Sequence, residues 1–108
     1  MSLEISMKSV IRVSRANFDP SRLDQIERMV RNTGDYLIPK IKELPGLTGY
    51  FAGASPTGSM VHVSLWDSDA HANQMGRLKE MLVNARQDAE ALGVQFIPIV
   101  NYPVSWHI

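Results

Sequence analysis

Between Ser59 and Asp67 the chain alternates like a strand, yet neither of its two sides is polar. Val61, Val63 and Leu65 fall on one side, and His62, Ser64 and Trp66 on the other. Successive strand side chains point to opposite faces of a sheet, so this segment needs cover on both faces. The same holds for 94–100, where Val94, Phe96 and Val100 oppose Ile97 and Ile99. It holds again for 46–55, where Leu47 and Phe51 oppose Tyr50 and Ala52. A single helix layer covers only one face of a sheet. A second apolar face on a protein in water marks an interaction surface, and the simplest cover is an identical sheet related by two-fold symmetry. The pattern therefore predicts a homodimer paired through its sheets.

Turn residues cut the rest of the chain at Asp19-Pro20, Pro45-Gly46, Pro56-Thr57-Gly58 and Gly93. Residues 7–14 mix β-branched and polar residues and read as a first strand, from Met7 to Ser14, which the topology places centrally. Asp19 offers an N-cap and Pro20 suits the first helical position. Leu23, Ile26, Val30, Leu37, Ile41 and Leu44 then recur at helical spacing, with a kink or break expected at Gly34 and Pro39. A hairpin over 46–67 turns at Pro56-Thr57-Gly58. Ser68 caps a second helix whose apolar stripe is Met75, Leu78, Leu82, Ala85, Ala89 and Leu92, ended by Gly93. The last strand, Val94–Val100, carries Pro98 and is followed by an extended tail, which suits a sheet edge. The order β-α-β-β-α-β predicts an α+β, ferredoxin-like fold: a four-stranded antiparallel sheet with two helices on one face. At 108 residues this is one domain, 1–108, with one core.

Eleven Lys and Arg balance eleven Asp and Glu. Such a chain has no general electrostatic grip on nucleic acid or an anionic membrane, so neither is expected as a partner. The absence of cysteine excludes disulfides, thiolate catalysis and Cys-based zinc sites. The three histidines lack ligand spacing, and no metal is expected. No apolar run approaches a membrane span and no secretory leader is visible, so a cytoplasmic protein is the expectation.

Val63-Ser64-Leu65-Trp66-Asp67-Ser68, a strand ending in Trp at the mouth of a helix, carries a likeness, as does Glu43-Leu44-Pro45-Gly46-Leu47 upstream. With the element order, the chain resembles the dimeric α+β barrel superfamily, most of all its antibiotic biosynthesis monooxygenase type, over about residues 7–100. The resemblance implies a homodimer in which each subunit holds a pocket between sheet and helices. It also implies oxygen chemistry of two sorts. Some members oxidise polycyclic phenols to quinones without a cofactor, by binding and deprotonating a substrate whose anion reacts with O2. Others open haem with an Asn on the first strand and a Trp and a His on the second helix. Here the first strand lacks Asn and the helical positions hold Met75 and Ala85, so haem opening is discounted. The quinone-forming type has an Asn and a Trp four residues apart on the third strand; those positions hold His62 and Trp66. Its helical Arg falls near Arg86, and its Tyr falls on Ala72.

His62 is the sharpest catalytic candidate. It shares a strand face with Trp66, and an imidazole with an ordinary pKa near 6.5 suits a base at neutral pH. A buried histidine satisfied by hydrogen bonds is the competing reading. Trp66 offers a flat wall for an aromatic ligand, or simply a core anchor. An even hairpin loop sets Phe51 opposite His62 and Leu47 opposite Trp66, whereas a one-residue shift brings in Tyr50. Met75 and Leu78 face the sheet and suit either core or ligand. Tyr36 stands near the expected helix break, where a cleft can open. Arg86 is a substrate-binding candidate from the resemblance, and Arg12, on a central strand, needs an anionic partner if buried. His71 sits at the start of the second helix, at a pocket mouth or on the surface.

Together these features predict a cofactor-independent monooxygenase acting on a small aromatic or polycyclic hydroxylated ligand. The alternatives are an isomerase- or decarboxylase-type enzyme on the same scaffold, or a non-catalytic ligand-binding or stress-related dimer. A pocket of several hundred Å3 reaching His62 would favour catalysis; a closed dry space would favour the last.

Overall fold

The computed structural model describes residues 8–108, apart from the side chain of residue 82. The expected strand start at Met7 and the Leu82 side chain of the second apolar stripe lie outside the described residues. Strand β1 is Val10–Asn17, helix α1 Leu23–Lys42, strand β2 Leu47–Ser55 and strand β3 Ser59–Trp66. The second helical region opens as α2, Asp69–Ala72, and closes as α3, Arg86–Glu90. Two short strands, β4 (Gln95–Phe96) and β5 (Val100–Pro103), complete the chain. The sheet runs β2-β3-β1, with β4 and β5 both pairing antiparallel to the outer side of β1. This is the predicted α+β, ferredoxin-like arrangement, and the sheet of one chain is open rather than a closed barrel.

Local chemistry accounts for most element ends. The Asp19 carboxylate accepts from the Ser21 amide at 3.0 Å and opens a short 3-10 turn, Pro20–Arg22, that leads into α1. The Ser68 hydroxyl accepts from the His71 amide at 3.2 Å and starts α2. Gly93, at φ 78°, takes the left-handed position that ends α3.

Three expectations are corrected. Helix α1 runs unbroken through Gly34 and Pro39. Pro39 lies on the exposed side only three residues from the helix end, so it forfeits a single backbone bond where solvent replaces it. The second helix, by contrast, is not continuous. Between α2 and α3 come a 3-10 stretch, Asn73–Arg77, an extended Leu78 and a π-helical stretch, Glu80–Ala85. The last strand is interrupted around Pro98, and its second half runs from Val100 to Pro103, beyond the expected strand end and into the expected tail.

The hairpin turn sets which side chains face the helices. Ser55 pairs with Ser59 across a three-residue loop, with Gly58 at φ 94° and its amide donating to the Ser55 carbonyl at 3.0 Å. That odd loop pairs Tyr50 with Ser64 and Phe51 with Val63. A bulge at Thr48 then restores Leu47 opposite Trp66.

In consequence one face carries Val10, Arg12, Ser14 and Ala16 of β1, in register with Trp66, Ser64, His62 and Met60 of β3. This face lies under the helices. Its two ends are apolar and seed two separate core clusters. One gathers Trp66, Val10, Leu37, Ile41 and Met75; the other gathers Met60, Ala16, Phe18, Ile26 and Val94. The opposite face presents Ile11, Val13, Val61, Val63 and Leu65, with Phe51, Val100 and Tyr102 substantially exposed at its margins.

A Cβ at Gly58 would stand 2.5 Å from the Phe18 carbonyl oxygen, in a backbone region that L-residues avoid. Gly58→Ala is expected to cost at least about 1–2 kcal/mol of stability, from the left-handed backbone alone. Urea unfolding reads this loss, and an unchanged midpoint would refute the reading of the turn.

Candidate functional site

The polar middle of the covered face does not pack flush against the helices. A cavity of about 140 Å3 lies there, between the two core clusters. Arg12, Ser14, Tyr50, His62 and Ser64 line its floor from the sheet. Its roof is mainly apolar: Leu37 and Thr33 from α1, and Met75, Met81, Ala85 and Ala89 from the broken second helix. Arg86, Phe96 and Ile99, all well exposed, stand at the open side. This is less than the several hundred Å3 expected of a catalytic pocket. It is close to the roughly 150 Å3 of an apolar engineered cavity that accepts benzene. The space reaches His62.

Among the described residues, the His62 side chain has one hydrogen-bond partner. Its Nδ1 lies 2.7 Å from the Tyr50 hydroxyl, with the rings edge-on at 82°. Burial pushes the His62 pKa down, which keeps the ring neutral at pH 7. Burial also drives the Tyr50 hydroxyl well above its ordinary range, opposed by the Arg12 charge, so Tyr50 stays protonated. A neutral imidazole carries one proton. With that proton on Nδ1, donated to the Tyr50 oxygen, Nε2 is a free acceptor. With Tyr50 donating instead, Nε2–H is a donor.

Arg12 is half-buried beside this pair. Its Nη1 makes a long bond, 3.5 Å, to the Asn101 side-chain oxygen. The Asn101 amide in turn donates to Asp69 at 3.1 Å and Asn73 at 2.9 Å, which ties β5 to α2. Burial lowers the Arg12 pKa, and the guanidinium remains charged at any physiological pH.

The remaining candidates divide. Met75 and Arg86 line the cavity with His62. Arg86 also pairs with Glu90 at 2.9 Å and lies 4.9 Å over the Phe96 ring. Trp66 does not line it: the indole is fully buried in the first core cluster and donates from Nε1 to the Ser64 hydroxyl at 2.8 Å. Leu78 packs against the same cluster, outside the cavity. Phe51 is on the opposite face, 58% exposed, because the three-residue loop pairs it with Val63. Tyr36 also packs at that first cluster and bonds Asp88 at 3.0 Å; burial, then Asp88, pushes its hydroxyl up to about 12. His71 bonds Asp67 at 2.6 Å at the surface. Tyr50 is the alternative to Phe51 that a one-residue shift brings in, and Ser14 is a site residue that the sequence reading does not single out. Tyr50 follows from the register that the hairpin loop imposes, and Ser14 from the β1–β3 pairing that sets it opposite His62. Among the described residues, no group of three or more His, Asp or Glu is placed to hold a metal ion, and no helix is long and apolar enough to cross a membrane.

A histidine neutral in the fold takes up its proton more readily once the chain unfolds. Stability therefore falls as pH drops below about 6.5, the unfolded value, and levels off below the lower folded value. His62→Gln is expected to lose less stability than the parent between about pH 7 and pH 5, measured by urea unfolding at both. Equal losses would show that His62 is not the group responsible.

No family model matches the chain, and no curated protein matches its sequence. Solved structures do. A monooxygenase from the ActVA-Orf6 gene of Streptomyces coelicolor, solved with nanaomycin D, is 18% identical at a TM-score of 0.69, over 94% of this chain and 92% of that one. SnoaB, a cofactor-independent oxygenase from Streptomyces nogalater, is 12% identical at 0.62, over 94% and 97%. A dimeric ferredoxin-like protein from an uncultured marine organism is 11% identical at 0.70, over 93% and 98%. The chain thus has the ferredoxin-like fold found among structures of the antibiotic biosynthesis monooxygenase type.

Proposed function

We propose that the protein is a cofactor-independent monooxygenase that oxidises a small hydroxylated aromatic in the cavity between sheet and helices. The observation that carries this reading is a neutral His62, braced by Tyr50, on the polar floor of a cavity whose roof is mainly apolar. His62 with its proton on Nδ1 takes the phenolic proton at Nε2, and the new imidazolium donates from Nδ1 to the Tyr50 oxygen. The electron-rich phenolate then reduces O2. One oxygen atom forms a new bond to a ring carbon, the other leaves as water, and the phenol becomes a quinone: phenol plus O2 gives quinone plus H2O. Tyr50 is a positioning residue here, since it holds the tautomer that leaves Nε2 free. The cavity volume suits one ring, so the small-aromatic form of the reading is favoured over the polycyclic one. That SnoaB and the ActVA-Orf6 protein share the fold supports the class of chemistry.

The same reading includes a homodimer closed across the open sheet face. Val13, Val61, Val63 and Leu65 form its apolar centre, with Phe51 and Tyr102 at its margins. An apolar face of this kind is buried in a stable assembly, and a dimeric ferredoxin-like protein is among the structures that share the fold.

His62→Ala is expected to lower oxygen uptake with a phenolic substrate by about 100-fold or more, the usual worth of a general base, with the thermal transition retained. Turnover at the parental rate, read with an oxygen electrode, would remove His62 from the chemistry. Val63→Lys places a charge at the centre of the open face and is expected to sediment as a single chain at micromolar concentration, where the parent sediments as two. A parent that is itself monomeric there would refute the pairing.

A further inference from the structure

Arg12 is the charged residue of the helix-facing row that lines the cavity, whereas Arg15, which also touches it, belongs to the opposite row of β1; the mechanism above does not use Arg12. It faces the helices because it pairs in register with Ser64, diagonal to His62 across the β1–β3 ladder. Such a diagonal separates the two backbones by about 7–8 Å. Among the described residues, no carboxylate forms an ion pair with Arg12; His71–Asp67 and Arg86–Glu90 are pairs formed elsewhere. Its side-chain bond to Asn101 is long and neutral. Asn101 is itself committed to Asp69 and Asn73. A half-buried cation without a protein anion is costly to keep, and a ligand anion offsets that cost.

We infer that the cavity takes an aromatic acid: a ring whose carboxylate pairs with Arg12 while its hydroxyl, on the far side of the ring, meets His62. The guanidinium fork matches a carboxylate with two parallel bonds, which a lone phenolic oxygen cannot use. Arg12 reaches toward Asn101 on β5 while His62 stands on β3, so the two groups flank the floor from opposite sides of β1 and leave room for a ring between them; the cavity volume suits one ring. Arg12 is then the specificity-determining residue for substrate charge. The inference rests on the reading of this cavity as the ligand site.

The test compares two probes of equal shape, para-hydroxybenzoate and para-hydroxybenzamide, by calorimetry on the intact protein at neutral pH. The parent is expected to bind the acid about 10-fold or more tightly than the amide. Arg12→Met is expected to abolish that preference, and Arg12→Lys to keep part of it. Should Arg12→Met fail to fold, Arg12→Gln removes the same charge with a polar side chain. Equal affinity for the two probes in the parent, binding of neither, or a preference that survives loss of the charge would each overturn the inference. Oxygen uptake separates it from the proposed reaction. A charge preference without oxygen uptake leaves Arg12 in place and sinks the oxygenase reading. Oxygen uptake without a charge preference does the reverse.

Discussion

The helix-covered side of the sheet is apolar at its two ends and polar across its middle, and the rest of the architecture follows from that. Val10 and Trp66 at one end, and Ala16 and Met60 at the other, each gather a cluster of helix residues. Between them Arg12, Ser14, His62, Ser64 and Tyr50 cannot be pressed against leucine and methionine without leaving polar groups unpaired. The helices therefore bridge the middle instead of packing into it, and space is left there. The second helical region spans that space with a 3-10 turn and a π-helical stretch, bringing Met75 and Met81 to its edge. Irregular helix of this kind is often found beside functional sites.

The polar middle is held together by short-range bonds and not by charge neutralisation. Tyr50 braces His62, Ser64 receives the Trp66 indole, and Asn101 joins the Arg12 row to the start of α2. Each bond satisfies a group that would otherwise be stranded, and each also fixes a rotamer. Trp66 shows how this divides the labour. Its ring is core and its indole N–H steadies the neighbouring serine. A large aromatic thus supports the site from outside the cavity.

Much of this was legible in the sequence, and what was not has physical causes. The element order, the Asp19 and Ser68 caps and the Gly93 stop are local signals that tertiary context did not override. The shared face of His62 and Trp66 followed from strand periodicity alone. Phe51 reaches the site only with an even loop, and the loop is odd. Trp66 and Leu78 were correctly turned inward, but burial alone does not tell a cavity wall from a core wall. The breaks in the second helix had no proline to announce them: the region from Asn73 to Ala85 carries a single glycine, Gly76, and otherwise residues that a helix tolerates. At Pro39 the opposite error arose, since a proline near an exposed helix end costs little.

The turn at Pro56-Thr57-Gly58 has a wider consequence. Because strand side chains alternate strictly, the number of residues between Tyr50 and that turn acts like a reading frame written in space. Removing one residue of β2 from this stretch, with the three-residue loop kept, would exchange Tyr50 for Phe51 beneath the helices. A hydroxyl would leave the interior, a phenyl ring would enter it, and the outer surface would gain what the inside lost. The Thr48 bulge, which resets the frame for Leu47 alone, confines such a shift to the stretch next to His62. A single strand residue lost or gained there would therefore change what meets the histidine while leaving β3 as it is in sequence.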